Sequence, residues 1–127
     1  MPPVSDAKQE KIAESAKNMA GLFSEFELSY DVIKEEAQKI QVSPRELALG
    51  FIESNPELKS QYETKLQAIP DAERTDKVIE KLALTVILED EKRLIEEKME
   101  RAGEDDILRI NLRGIKADIV HVKIARS

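Results

Sequence analysis

Apolar residues in the first part of the chain recur at the three- and four-residue steps of an α-helix. From Ile12 to Phe26 they form a single stripe, which predicts a helix that begins near Gln9 and packs against another element. A second helix is predicted to begin at Ser29, a residue type that caps helix N-termini well, and to end near Gln41. The chain therefore opens with two amphipathic helices.

Two later segments carry the signal of a helix start. Ser43–Glu46 (Ser-Pro-Arg-Glu) places a capping serine before a proline at the first helical position, with a glutamate three residues after the cap. Ser54–Glu57 (Ser-Asn-Pro-Glu) repeats the cap and the proline, and Pro70 ends the helix that follows. Residues 10–70 are therefore predicted to form one helical domain.

The next segment is predicted to be one long helix. Asp71–Ala102 has no glycine or proline and is rich in Glu, Lys, Leu and Ile. From Leu82 to Leu88 it is apolar on nearly all sides, which is typical of a helix buried between neighbours. Either the N-terminal helices fold back over it, or other copies of the chain cover residues 71–103 in an oligomer.

The period of the pattern then changes to two. Between residues 107 and 126 apolar and polar residues alternate, and Gly114 interrupts the alternation, which predicts a β-hairpin with its turn within residues 113–118. One face is aliphatic, and the other carries the basic residues Arg109, Arg113, His121 and Lys123. A lone hairpin is marginally stable and leaves both edges unpaired, so we expect hairpins from several copies to pair.

The predicted fold class is mainly α, with an N-terminal helix-turn-helix domain, a long central helix and a C-terminal β-hairpin. Aliphatic residues in the last two elements exceed what one copy is expected to bury, which predicts a homo-oligomer. The candidate oligomerisation residues are Leu84, Leu88, Ile95, Leu108, Ile110, Leu112, Val120, Val122 and Ile124.

Composition excludes several classes of protein. The absence of cysteine excludes disulfides and cysteine-ligated metals, and is compatible with a reducing cytoplasm. No segment approaches the roughly 20 apolar residues of a membrane-spanning helix. Residues 1–9, predicted to be a flexible leader, lack the basic-then-apolar order of a secretion signal. We therefore expect a cytoplasmic protein, or one in the host cytoplasm if viral, without membrane contact.

Charge is unevenly distributed along the chain. The net charge of −6 argues against a protein that coats nucleic acid indiscriminately. Residues 107–127 hold five basic residues against one acidic residue, a local charge of +4, which leaves −10 on the first 106 residues. The C-terminal segment is thus electrostatically distinct from the rest.

Candidate catalytic groups are few. His121, the single histidine, has no acidic partner at local spacing and is assigned no catalytic role. The acidic runs 89–91 and 105–106 lack the spaced ligands of a calcium loop, and we predict a solvated helix face and a helix-end turn there. A glycine-rich phosphate loop and a serine nucleophile motif are also absent from the sequence. We expect neither an enzyme nor a cofactor or metal.

The segment Ile33–Leu47 has the layout of a helix-turn-helix. Ala37 lets the two helices approach, and Ser43 caps the helix that would enter a DNA groove. An ordinary helical corner gives the same pattern, so both interpretations stay open. The second helix is poor in basic residues, so DNA binding would require several linked copies. The candidate DNA-binding residues are Lys34, Lys39, Ser43 and Arg45.

Directly after this layout, Phe51–Tyr62 resembles the DNA-binding domain of the small terminase subunits of tailed phages. In that family an aromatic residue on the recognition helix is followed by a short charged turn and a helix that carries a tyrosine, positions that Phe51 and Tyr62 match. Family members continue into long helices that form a ring, and several end in β-strands that build a barrel. The resemblance implies a non-catalytic ring subunit that recognises double-stranded viral DNA and passes it to a separate packaging ATPase.

Two other functions fit the same pattern. A structural or adaptor protein would use the hairpin and helices to bind a fixed protein partner without DNA. A dimeric transcription regulator would use the helix-turn-helix on DNA and the long helix as a two-stranded interface. Native mass and DNA binding across a salt series distinguish the three.

Overall fold

A computed structural model of the chain describes residues 4–103 and 105–124, and these are helical throughout apart from short connections. The elements are α1 (Val4–Ser24), α2 (Tyr30–Lys39), α3 (Pro44–Glu53), α4 (Pro56–Gln67), a 3-10 turn (Asp71–Glu73), α5 (Asp76–Ala102) and α6 (Asp106–Ile124). No β-strand occurs among the described residues. The mainly α class predicted from the sequence is confirmed.

The helix starts predicted at the cap-and-proline signals are confirmed. The backbone N–H of Glu46 donates to Ser43 Oγ at 3.1 Å, and the backbone N–H of Ser43 donates to the Glu46 carboxylate at 3.2 Å, which completes the capping box. Asn55 caps α4 by accepting from the backbone N–H of Leu58 at 3.1 Å. These local signals therefore place α3 and α4 correctly.

The first helix starts earlier than predicted. α1 begins at Val4 and not near Gln9, while residues 1–3 of the predicted leader lie outside the described residues. Its buried side packs against α3, and the rings of Phe23 and Phe51 meet edge to face with centroids 5.5 Å apart. The amphipathic stripe predicted for this helix thus forms part of the core.

α3 lies at the centre of the bundle and contacts α1, α2, α4 and α5. It buries Leu47, Ala48, Phe51 and Ile52. Gly50 permits the close approach of α1, because a Cβ atom at this position would overlap the side chain of Ile12. The helix predicted to enter a DNA groove is therefore enclosed by its own neighbours.

The long helix α5 runs for 27 residues and is buried on nearly all sides between residues 82 and 88, as the sequence predicted, but it begins at Asp76, after the 3-10 turn, and not at Asp71. Fully or almost fully buried residues there are Ala83, Leu84, Val86, Ile87 and Leu88. Helices α3, α4 and α6 of the same copy pack against it. The sequence left open whether helices of the same copy or of other copies cover α5. The structure shows that helices of the same copy cover it.

The predicted β-hairpin is wrong, because residues 106–124 form the single helix α6. The period-two alternation coexists with a stripe at three- and four-residue steps, which packs against α5 and consists of Leu108, Leu112, Ile115, Ile119 and Val122. Burying that stripe on α5 stabilises the helix, and the helix pairs the backbone groups of its interior, whereas an isolated hairpin leaves both edges unpaired. Residues 125 and 126 of the predicted hairpin lie outside the described part.

Candidate interaction surface on the last helix

The side of α6 that faces away from α5 is rich in aliphatic residues. Ile107, Ile110, Val120 and Ile124 are between 57% and 70% exposed, and Ala117 is also exposed. We call these five residues the outer stripe. Large aliphatic side chains grouped on one helix face are typical of a binding surface, since isolated exposed ones are common but clusters are not.

A row of basic residues borders the outer stripe. Arg109, Lys116 and Lys123 each precede a stripe residue by one position and lie on one side of the stripe; we call these three residues the basic row. Arg113 lies within the stripe, between Val120 and Ile124 around the helix. Arg109 lies 4.0 Å from Asp106, and Lys123 lies 2.9 Å from Glu89 of α5. Arg113 and Lys116 are exposed and form no ion pair with a residue in the described ranges. Positive charge therefore remains available beside the stripe.

The salt bridge of Lys123 fixes the C-terminal half of α6 to α5. Glu89 also pairs with Lys65 of α4 at 3.3 Å, so its carboxylate joins three helices. Burial alone would raise the pKa of Glu89, but the hydrogen bonds and charges of Lys123 and Lys65 hold it below its ordinary value. The carboxylate thus stays ionised where it anchors the helix.

The opposite side of the outer stripe meets the connector between α1 and α2. Two adjoining grooves of about 540 and 360 Å³ separate them, both bordered by Phe26, Glu27 and Asn111. Ile107 borders the first groove and Ile110 the second. Exposed Glu25 and Glu27 stand on the connector side, and we call this pair the acidic rim; Lys98 of α5 lies over the Phe26 ring in the same groove. The outer stripe therefore lies between positive and negative borders.

Two acidic side chains hold the connector in place. Asp118 of α6 accepts a hydrogen bond of 3.0 Å from the backbone N–H of Tyr30, at the first turn of α2, where unpaired N–H groups and the helix dipole favour an acidic side chain. Glu91 of α5 accepts one of 2.9 Å from the backbone N–H of Leu28. Together the two contacts position the acidic rim against α5 and α6.

The acidic run 89–91 is not the solvated helix face that the sequence predicted. Asp90 is 3% exposed and Glu91 is fully buried. Asp90 accepts hydrogen bonds from Arg93 and from Gln61 of α4, so its charge is paired. A signal for Glu91 was present in the sequence, because it stands three residues after Leu88 and four before Ile95, on the apolar side of α5.

The candidate DNA-binding residues do not form one open surface. Lys34 lies over the Tyr30 ring at 4.8 Å, and Lys39 lies 3.8 Å from Glu36, both exposed on α2. Ser43 is used in the capping box, and Arg45 is half-buried 3.7 Å from Asp76 of α5. The α2–α3 corner therefore leaves two lysines available and engages the other two candidates internally.

The candidate oligomerisation residues divide into two groups. Leu84, Leu88, Ile95 and Val122 are buried within one copy, while Leu108 and Leu112 pack partly against its core. Ile110, Val120 and Ile124 belong to the outer stripe. Of the residues predicted as the basic hairpin face, Arg109 and Lys123 belong to the basic row of α6, and Arg113 lies within the outer stripe. His121 is exposed on another side of the helix, with its ring centroid 5.6 Å from that of Tyr30.

Comparisons with protein families, with curated proteins and with solved structures find no match to this chain. Within the described ranges, no group of three or more acidic, histidine or cysteine side chains is arranged to hold a metal ion. None of the described helices combines the length and the apolar character that crossing a membrane requires.

Proposed function

We propose that this protein is a non-catalytic subunit that assembles with copies of itself through the outer stripe of α6. One observation carries the proposal: a helix packed on one side against α5 presents four large aliphatic side chains, 57% to 70% exposed, on the other. Removing such surface from water is favourable by roughly 25 cal/mol per Å². Contact with another surface would provide that free energy.

Copies of the chain are favoured as partners because the surface is complementary to itself. The outer stripe has the basic row on one side and the acidic rim on the other, so one copy offers both the apolar strip and the two charges that a second copy requires. Complementary charges at the edge of an apolar contact give specificity and orientation.

Native mass tests the proposal. Sedimentation of the wild-type chain over a wide concentration range should give a multiple of 14.4 kDa, and the variant Ile110→Ser/Ile124→Ser should sediment as a single copy. Circular dichroism should show unchanged helix content, since neither side chain is part of the core. Ala13→Ser, an exposed change on α1, is the matched control and should leave the mass unchanged. A wild-type chain of 14.4 kDa at every concentration would refute self-assembly.

DNA recognition in viral genome packaging, with a separate packaging ATPase as a further partner, is the second candidate. It is favoured by the α2–α3 corner, where Gln41 adopts φ 59° and Val42 donates its backbone N–H to the Ala37 carbonyl at 3.0 Å to make a tight turn. The enclosure of α3 limits contacts to phosphates near Lys34 and Lys39, which predicts weak, salt-sensitive binding with little sequence preference.

Retardation of duplex DNA across a salt series tests this second candidate. The slope of log K against log salt is negative. Lys34→Glu/Lys39→Glu should reduce its magnitude by about 2, roughly one for each phosphate that the lysines no longer neutralise. Lys77→Glu, an exposed charge reversal on α5, should change the slope less. Absence of retardation at low ionic strength would remove the DNA role and leave self-assembly untouched.

A further inference from the structure

The outer stripe has the spacing of a two-helix seam. Ile110, Ala117 and Ile124 recur every seven residues, and Arg113 and Val120 follow the first two of them by three residues, so the seam is apolar except at Arg113. A seven-residue apolar repeat places side chains along one line of a helix, which is how two helices pack side by side over several turns. Gly114 lies next to this line and has open space around it, so a second helix can approach closely there.

The borders of the seam differ in charge. The residues that precede the repeat are basic, Arg109 before Ile110 and Lys116 before Ala117, and they turn toward one side of the helix. The residue that follows Ile110, Asn111, turns to the other side and borders the grooves that lead to Glu25 and Glu27. A partner helix on the seam therefore has positive charge on one flank and negative charge on the other.

Building on the self-assembly proposed above, we infer that two copies pair through parallel α6 helices about a two-fold axis that runs along the helices. Rotation about this axis carries the basic row of one copy to the side on which its partner presents the acidic rim. Each apolar residue of the seam then meets the same residue of the partner, as in an isologous interface. Opposite charges then meet at both borders of the apolar contact, while Arg113 meets Arg113 of the partner across the seam.

The charges also match in height along the helix. The acidic rim borders grooves formed with Ile107, Ile110 and Asn111, all in the N-terminal half of α6. Arg109 of the basic row lies in the same half. In a parallel pair the N-terminal halves lie side by side, so Arg109 of one copy comes level with the rim of the other.

An antiparallel pair is disfavoured by the same charges. Rotation about an axis across the helices keeps both basic rows on one side of the seam, where Lys116 of one copy approaches Lys116 of the other. It also places both acidic rims on the remaining side. Like charges brought together at an interface oppose binding, so the charge pattern selects the parallel direction.

Anionic surfaces are less suitable partners for this face. Duplex DNA and anionic bilayers are extended, so they would meet the acidic rim and the exposed Asp105 and Asp106 as well as the basic row. Duplex DNA also offers little apolar surface to cover Ile110 and Ile124. A second copy satisfies the basic row, the acidic rim and the apolar seam at once.

Single-cysteine variants test the direction of pairing, because the wild-type chain contains no cysteine. Under mild oxidation Ile110→Cys should form a disulfide-linked dimer with itself, and Ile124→Cys should do the same. An antiparallel pair centred near Ala117 would link neither variant alone but would link the two in a mixture. Ala13→Cys, exposed on α1, controls for collisions and should remain largely uncrosslinked.

Charge reversal tests the pairing of the borders. Arg109→Glu and Glu27→Lys should each raise the dimer Kd about tenfold, and the double variant should restore it to within about threefold. Lys77→Glu, away from α6, should leave the Kd unchanged. Two results would overturn the parallel pairing while the proposed self-assembly stands. One is crosslinking only in the mixture of the two cysteine variants, and the other is a double charge variant whose dimer Kd is not restored. A wild-type chain that remains a monomer would overturn the parallel pairing and the self-assembly. The same conclusion would follow if that monomer sediments with anionic vesicles or duplex DNA.

Discussion

The Oε2 atom of Glu91 accepts a hydrogen bond of 2.9 Å from the backbone N–H of Leu28, which joins the middle of α5 to the connector before α2. The carboxyl group is fully buried, and its Oε1 atom has no hydrogen-bond partner among the described residues. Burial raises the pKa of Glu91 to about 8. The hydrogen bond from the Leu28 N–H acts to lower this pKa, and the nearby charge of Asp118 acts to raise it. At neutral pH this acid is therefore mostly uncharged.

The raised pKa of Glu91 predicts that the protein becomes less stable as the pH increases. Glu91 holds its proton more tightly in the folded state than in the unfolded chain, where the pKa of the side chain is near 4.5. The stability that this proton contributes is therefore complete below pH 4.5 and is lost as the pH rises to about 8. Within that window the free energy of unfolding should fall by up to about 1.4 kcal/mol per pH unit. Glu91→Gln replaces the neutral acid by a group of the same shape and should flatten the curve.

Urea unfolding of the wild type and of Glu91→Gln between about pH 6 and about pH 9 measures this difference. Glu53→Gln, which neutralises an exposed glutamate on α3, is the control and should keep the slope of the wild type. If Glu91→Gln and the wild type lose stability in parallel, the carboxyl group does not titrate in this window.

Asp118 is predicted to anchor the start of α2 to α6. Its carboxylate accepts the 3.0 Å hydrogen bond from the backbone N–H of Tyr30, one of the donors that the helix itself leaves unpaired. Asp118→Ala should lower the free energy of unfolding by about 1–2 kcal/mol. Hydrogen exchange should show faster exchange of the Tyr30 amide. Unchanged exchange there, at unchanged stability, would mean that the hydrogen bond contributes little in solution.

The turn between α2 and α3 contains a residue in a conformation that favours glycine. Gln41 has φ 59°, in the left-handed region that costs an L-residue about 1–2 kcal/mol. Gln41→Gly should therefore stabilise the protein by about 0.5–1 kcal/mol, after allowance for the greater entropy of glycine in the unfolded chain. Gln38→Gly, exposed within α2, should destabilise it by about 1 kcal/mol. In thermal unfolding, the midpoint temperature should rise for Gln41→Gly and fall for Gln38→Gly.

Local signals explain which elements could be predicted from the sequence. The caps at Ser43 and Asn55 act through hydrogen bonds to residues at most three positions away, so their effect does not depend on the rest of the fold. The all-round apolar stretch Leu82–Leu88 likewise identifies a buried helix from its composition alone. Helices α3, α4 and α5 were therefore predictable.

The last helix and the buried acid depend on distant partners. Residues 107–124 carry a period-two and a helical pattern at once, and the surface of α5 that covers Ile115 and Ile119 favours the helix. The burial of Glu91 depends on the connector at Leu28 and on α6, which are far from it in sequence. The aliphatic residues of the outer stripe could be identified from the sequence. Its charged borders could not, because they form only when residues 106–124 are helical and the connector packs beside them.

The final prediction concerns the contact between α1 and α3 that encloses the candidate recognition helix. A Cβ atom at Gly50 would overlap Cγ2 of Ile12, a β-branched residue that is 5% exposed and has little freedom to move. Gly50→Ala should therefore lower the free energy of unfolding by about 1–3 kcal/mol through overpacking, despite the better helix propensity of alanine. Gly21→Ala is the matched control, because it lies within α1 with nothing near its Cβ position and should stabilise by about 0.5–1 kcal/mol. Urea unfolding compares the two, and a Gly50→Ala variant as stable as Gly21→Ala would mean that α1 does not pack closely on α3 in solution.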